Sequence, residues 1–109
     1  MQRLLYLTLR CIQKMKKIAK LLKEYSSKVL ELKPEISWGN PNELTDRMNQ
    51  VSERISKDNY DLKKFYFSDF NGKSPQGEIW EYLDSKHPDL KKISNEIREI
   101  YSQIRSEEN

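Results

Sequence analysis

The chain has few of the residues that metal sites, disulfides and nucleophilic active sites require. Its 109 residues include one cysteine, Cys11, and one histidine, His87. A single cysteine cannot form a disulfide within the chain, and zinc sites need several Cys or His ligands at matched spacing. These scarcities argue against a disulfide-stabilised secreted domain and favour a reduced, cytoplasmic protein. We therefore expect neither a metal nor a cofactor.

Turn-forming residues and long apolar runs are also scarce. Three glycines and four prolines leave few positions for the tight turns of a many-stranded sheet. The best apolar run, Leu4 to Leu9, is interrupted by Thr8 and is far shorter than the roughly 20 residues that cross a bilayer. A chain of this length has room for one hydrophobic core. The sequence therefore predicts a single all-α domain over residues 1–109.

Charge is distributed very unevenly along the chain. Residues 1–23 carry no acidic side chain and seven basic ones, which are Arg3, Arg10, Lys14, Lys16, Lys17, Lys20 and Lys23. The whole chain has a net charge of +3, so residues 24–109, with 13 basic and 17 acidic side chains, carry −4. Either the two parts attract each other or the basic part attracts an anionic partner.

Apolar residues recur every three or four positions in the first third of the chain, which is the spacing of one helix face. We call this series the seam, and its members are Leu4, Leu7, Cys11, Met15, Ile18, Leu22, Tyr25, Val29 and Leu32. From Cys11 onward the spacing is the heptad repeat of a coiled coil. Leu5, Ile12 and Ala19 widen the seam, as in a helix with several neighbours. The pattern predicts a helix over residues 2–33, which Pro34 ends because proline has no amide hydrogen.

Two alternatives apply to the beginning of the chain. Leu5, Leu7 and Leu9 also alternate with their neighbours as in a strand, although no other segment supplies a convincing partner strand. Met15 is a second candidate for the natural start, in which case residues 1–14 would be an upstream or alternative reading. The helix is the favoured interpretation because it keeps the seam continuous.

A second helix is predicted over residues 41–56. Asn40 can cap it, Pro41 fits its first turn, and Glu43 can complete a capping box. A continuation to residue 66 is left open, with a weak point at residues 57–59. Residues 65–72 are aromatic and end in Asn-Gly, and we expect an ordered aromatic loop there, since a hairpin would lack its second strand.

Two further helices complete the predicted fold. Ser74-Pro75 is a start signal for a third helix over residues 75–85, and residues 87–89 both stop it and start a fourth over residues 88–105. The fourth has apolar residues at heptad spacing, and the last four residues of the chain are expected to fray. The predicted fold is thus a small four-helix bundle with a long N-terminal helix and an aromatic loop between helices 2 and 3. Trp38 is expected to cover one end of the bundle as a hydrophobic plug.

The sequence offers little for catalysis. Glu78, Glu81 and Asp84 would share one side of the third helix, but without a His partner a solvated helix face is the favoured interpretation. His87 is the one candidate base of the usual kind, and its neighbours indicate a helix junction. We therefore expect no enzymatic activity and no small-molecule substrate.

The first helix points to a protein partner. At about 45 Å it would be much longer than the third and fourth helices, so part of its seam, chiefly Leu4 to Met15, would face water in a monomer. We expect a non-catalytic interaction protein of adaptor, immunity or regulatory type that self-associates or docks on a protein partner. The predicted interface residues are Leu4, Leu7, Cys11, Ile12, Met15, Ile18 and Leu22.

Nucleic-acid binding is the alternative. Single-strand binders combine lysines with aromatic side chains, as the first helix and the aromatic loop could do together. The candidate contacts are Arg10, Lys14, Lys16, Lys17, Lys20, Lys23, Lys63 and Lys64. A membrane-surface role is less favoured, because the seam continues in the same register beyond the basic part.

Overall fold

The computed structural model describes residues 2–57 and 75–108, and side chains for residues 13–57, 77–104 and 106. Within these residues the chain forms four helices and no strand, which confirms the predicted all-α bundle. The helices are α1 (Gln2–Leu32), α2 (Pro41–Ser56), α3 (Pro75–Lys86) and α4 (Pro88–Glu108). The aromatic loop and the continuation toward residue 66 lie outside the described residues.

The predicted cap of α2 and the predicted junction of α3 and α4 are confirmed, whereas the Glu43 side chain does not complete the predicted capping box. The Asn40 side-chain oxygen accepts a hydrogen bond from the Asn42 N–H at 3.0 Å and so caps α2. The His87 N–H donates to the Leu83 carbonyl, while the His87 carbonyl accepts from the Leu90 and Lys91 N–H groups. The backbone of His87 therefore closes α3 and opens α4, which confirms its predicted place at a helix junction.

Three helix ends differ slightly from prediction. α1 ends one residue early because Lys33 adopts a left-handed conformation, with φ of 46°, and donates its N–H to the Val29 carbonyl. α3 is one residue longer than predicted. α4 continues to Glu108, three residues beyond the predicted end at residue 105.

The core lies where α1 meets the other helices. The seam residues Ile18, Leu22, Tyr25 and Val29 are almost completely buried against apolar residues of α2, α3 and α4. α2 runs antiparallel to α1, since Asn42 lies beside Leu30 and the Ser52 hydroxyl donates to the Ala19 carbonyl at 2.6 Å. The four helices thus share one core, whose residues from the later helices are Leu44, Met48, Val51, Ile55, Ile79, Trp80, Leu83, Leu90, Ile93, Ile97, Ile100, Tyr101 and Ile104.

Two predicted core residues are exposed instead. Leu32 is 45% exposed because the bundle ends beside it, at the junction of α3 and α4. Trp38 is 52% exposed and packs edge-on against Tyr82, with ring centroids 5.5 Å apart, so it covers the end of the bundle only in part. The connector that carries Trp38 is nevertheless closely packed, since a Cβ on Gly39 would lie 3.0 Å from the Ile79 side chain.

Candidate functional site

The N-terminal part of α1 extends past the end of α2. The hydrogen bond between Ser52 and Ala19 fixes the antiparallel register, so Ser56, the last residue of α2, lies level with Met15. Residues 2–14 of α1 therefore continue for about 20 Å beyond α2. Of the described helices, α4 follows α1 furthest in this direction, since Lys17 and Gln103 line one groove between them. We call residues 2–15 the N-terminal segment of α1.

The structure divides the predicted interface residues into two groups. Ile18 and Leu22 are fully buried in the chain's own core, so in the folded chain they are not surface residues, and the interface prediction needs this correction. Met15 is half-buried and packs against the same core. The other four predicted residues belong to the helical backbone of the N-terminal segment, but their side chains lie outside the described ones: Leu4, Leu7, Cys11 and Ile12.

Three lysines form an exposed line along α1. Lys16, Lys20 and Lys23 follow each other at steps of four and three residues, on the side of α1 opposite the buried seam. We call this line the basic ridge. Within the part of the chain that the structure describes, no ion pair involves any of the three.

The other predicted basic contacts have different surroundings. Lys17 is exposed but faces α4, where it shares a groove of about 350 Å³ with Glu96 and Glu99. Lys14 is half-buried. The side chain of Arg10, and all of Lys63 and Lys64, lie outside the described residues.

A buried polar cluster joins α1, α3 and α4 around Asp84. One oxygen of Asp84 accepts hydrogen bonds from the Tyr25 hydroxyl at 2.7 Å and from the Ser94 hydroxyl at 2.8 Å. The Trp80 indole N–H donates to the Ser94 oxygen at 2.6 Å, and the Arg98 guanidinium lies 3.5 Å from the second Asp84 oxygen. Asp84 and Ser94 are buried, whereas the Arg98 side chain is 44% exposed. We call these five residues the Asp84 cluster.

Burial dominates the titration of the Asp84 cluster. Desolvation raises the pKa of Asp84 above its usual value of 3.8, although hydrogen bonds from Tyr25 and Ser94 and the charge of Arg98 oppose the shift. Desolvation also raises the pKa of Tyr25, and the neighbouring carboxylate adds to this shift. Tyr25 therefore stays protonated and serves as a donor to Asp84.

The geometry of the Asp84 cluster suits structure better than catalysis. The Ser94 hydroxyl donates to Asp84 and accepts from Trp80, and it is fully buried, so no substrate reaches it in this conformation. α1 is distant in sequence from the consecutive helices α3 and α4, and the cluster joins all three. Among the residues that the structure describes, no group of three or more His, Cys, Asp or Glu side chains could hold a metal ion.

Sequence reasoning placed Asp84 on a solvated face with Glu78 and Glu81, and for Asp84 this was wrong. Glu78 and Glu81 are exposed, but Asp84 is 7% exposed. A signal was present, since Asp84 follows Trp80 by four residues and so shares its inward face. Ser94 and Arg98 gave no sequence signal that linked them to Asp84.

Comparisons with known proteins do not assign a family. No family model matches the chain, no curated protein matches it, and no solved structure matches it. No helix in the described ranges combines the length and apolar character needed to cross a bilayer. The surfaces and contacts described above therefore carry the functional argument.

Proposed function

We propose that the chain is a non-catalytic protein-interaction module of adaptor, immunity or regulatory type, which docks on another protein or on a second copy through the N-terminal segment of α1. The observation that supports this is the length of α1: residues 2–14 carry three of the nine seam residues and run beyond the last residue of α2. Apolar residues in such a position usually mark a protein interface. The polar groups of the Asp84 cluster are paired with one another, which suits a structural role for that cluster.

Photo-crosslinking tests the proposal directly. With a photo-reactive amino acid in place of Leu7, the chain is expected to form a defined covalent product with one protein in cells of its source. Replacing Leu4 alone with glutamate in this chain should reduce the product about tenfold or more, since a buried unpaired charge strongly opposes association. The yield is measured by gel densitometry and the product is identified by mass spectrometry.

A matched control comes from the other end of the same helix. Leu30→Glu makes the same leucine-to-glutamate change at a side chain that is 51% exposed, and it should leave the yield within about twofold of the unsubstituted chain. Met15 is unsuitable for charge insertion because it packs against the core. Absence of any product, or equal loss in both variants, would contradict docking through the N-terminal segment.

The exposed lysines of α1 support single-stranded nucleic-acid binding as a second candidate function. If it operates, a fluorescent single-stranded oligonucleotide should bind with an affinity that falls steeply as salt increases, because phosphate contacts release counterions. Lys16→Ala together with Lys17→Ala should then weaken binding several-fold and flatten the salt dependence. Fluorescence anisotropy at several salt concentrations measures both effects, with Lys91→Ala and Lys92→Ala as the control pair on α4. Equal affinity in both pairs would contradict a site on α1.

A further inference from the structure

We propose that Trp38 and Tyr82 form a docking site for an extended, proline-rich segment of a partner protein, with an acidic residue of that segment beside Lys86. Trp38 belongs to the connector between α1 and α2, so this site lies at the end of α1 opposite the N-terminal segment. The inference therefore goes beyond the proposed function. It follows from the exposed apolar side chains at this end, from the turn that carries Trp38, and from the charges beside the two rings.

Exposed apolar side chains are concentrated at this end of the bundle. Among the side chains that the structure describes, the exposed large hydrophobic ones are Leu30, Leu32 and Trp38. All three lie between the last turn of α1 and the start of α2. Tryptophan and tyrosine are enriched among the residues that dominate the binding energy of protein interfaces. Trp38, which contacts Tyr82, is thus the natural anchor for a ligand here.

The turn that carries Trp38 is held in place by the core. Gly39, the next residue, lies so close to α3 that a Cβ there would be 3.0 Å from the Ile79 side chain. Ile36, on the other side of Trp38 in the chain, packs against the core. The backbone on both sides of Trp38 is therefore fixed, although Trp38 itself is half exposed. A preorganised anchor of this kind loses little conformational entropy when a ligand binds.

Trp38 and Tyr82 form what we call the aromatic corner. Their rings meet edge to face at 88°, with centroids 5.5 Å apart. In this geometry Tyr82 covers at most one face of the indole, so the other face is not covered by it. Aromatic surfaces bind proline rings of extended segments, because the polyproline II helix is already formed before binding. The aromatic corner therefore suits a proline-rich segment.

The charges beside the aromatic corner distinguish among the ligands that aromatic rings bind. The Lys86 ammonium lies 5.8 Å from the centroid of the Tyr82 ring, so a cationic ligand would meet a positive charge already in place. An acidic side chain next to the prolines would instead pair with Lys86, which is exposed. The exposed Glu78, one helical turn before Tyr82 on α3, opposes the phosphates of a nucleic-acid strand.

NMR titration of the full chain tests this site. The probe is a peptide of four Pro-Pro-Asp repeats, and the readout is the indole N–H signals of the two tryptophans, Trp38 and Trp80. We expect a saturable shift of the Trp38 signal. The Trp80 signal should stay in place, because its N–H donates to Ser94 inside the core. A Gly-Gly-Asp peptide of the same length and charge, which is not preformed as polyproline II, should bind about tenfold more weakly or less.

Three variants separate the aromatic corner from its surroundings, with binding of the fluorescein-labelled peptide measured by anisotropy. Trp38→Ala should weaken binding on the order of tenfold or more. Leu30→Ala, the matched control at a side chain that is 51% exposed, should stay within about twofold. Lys86→Glu should weaken binding of the Pro-Pro-Asp peptide several-fold and strengthen binding of a Pro-Pro-Lys peptide. Thermal melts show whether each variant is folded, and Lys86→Glu keeps the test decisive if Trp38→Ala is not.

Several results would overturn the inference. They are a Trp38 signal that does not shift with the Pro-Pro-Asp peptide, and equal losses of binding in Trp38→Ala and Leu30→Ala. A Trp38 shift with tetramethylammonium or oligothymidine instead would assign the aromatic corner to a cation or to nucleic acid, and a shift on concentrating the chain alone would assign it to a second copy. Leu4→Glu in the N-terminal segment should leave peptide binding unchanged, so this inference and the proposed function can fail separately.

Discussion

Replacing Asp84 with alanine is expected to lower the free energy of unfolding by about 2–4 kcal/mol. Asp84 is the shared acceptor for the hydroxyls of Tyr25 and Ser94, so its removal leaves two buried donors without their partner. The contact with Arg98 adds little to this cost, because the Arg98 side chain is 44% exposed and water screens its charge. Urea denaturation of the unsubstituted chain and the variant at pH 7 measures the difference.

Asp84→Asn is the matched control for the loss of the carboxylate. The amide oxygen can still accept the hydrogen bonds of Tyr25 and Ser94, so the asparagine variant should lose clearly less stability than the alanine variant. A cost below about 0.5 kcal/mol for Asp84→Ala, the range typical of neutral surface changes, would show that the Asp84 cluster does not stabilise the fold.

Comparing the unsubstituted chain with Asp84→Asn also tests how the free energy of unfolding depends on pH. Burial raises the pKa of Asp84 above 3.8 in the folded state, so the folded chain holds this proton more tightly than the unfolded chain does. The part of the stability that depends on protonation of Asp84 is therefore fully present below pH 3.8 and declines as pH rises through the folded-state pKa, while the hydrogen bonds from Tyr25 and Ser94 remain. Since asparagine does not titrate, the stability of the unsubstituted chain minus that of Asp84→Asn should fall over this interval. A difference that rises with pH would mean that the hydrogen bonds outweigh desolvation.

The helices could be predicted from sequence because their signals are local. Asn40 and Pro41 start α2 through groups within two residues, and the backbone of His87 links α3 and α4 in the same way. The burial of Asp84 was missed because its partners are not local. Tyr25 lies 59 residues before it in the chain, and Ser94 belongs to the next helix. The sequence pattern of α3 alone can show which face of the helix carries Asp84. It cannot show that other helices place hydrogen-bond donors beside that face.

The candidate interface was predictable only in part, for a related reason. The seam correctly predicted which face of α1 is buried. The spacing of apolar residues in α1 does not show where the neighbouring helices end. Ile18 and Leu22 are covered because α2 reaches the level of Met15, and Leu32 is exposed because the bundle ends beside it. The limits of the chain's own core along α1 thus depend on the lengths of α2 and α4, which are set by residues elsewhere. The lysine spacing of the basic ridge, in contrast, was already present in the sequence.

Replacing a seam leucine with alanine should affect the free energy of unfolding very differently at position 22 and at position 7. Leu22→Ala is expected to lower the free energy of unfolding by about 2–5 kcal/mol, because Leu22 is fully buried and its loss leaves a cavity in the core. Leu7→Ala should cost less than about 1 kcal/mol, since Leu7 lies two helical turns beyond the level at which α2 ends and alanine favours helix. Urea denaturation at two protein concentrations measures both changes and separates folding from association.

The same two substitutions should affect partner binding in the opposite order, with Leu7→Ala causing the larger loss. Each substitution is therefore a control for the other. With the photo-reactive amino acid at Leu4, Leu7→Ala should reduce the cross-linked product several-fold because it shortens one of the seam residues of the N-terminal segment. Leu22→Ala should leave the yield per folded molecule unchanged, because Leu22 is enclosed by the chain itself. If Leu7→Ala destabilises the fold as strongly as Leu22→Ala, the N-terminal segment belongs to the chain's own core, and a partner cannot use it without unfolding part of the bundle.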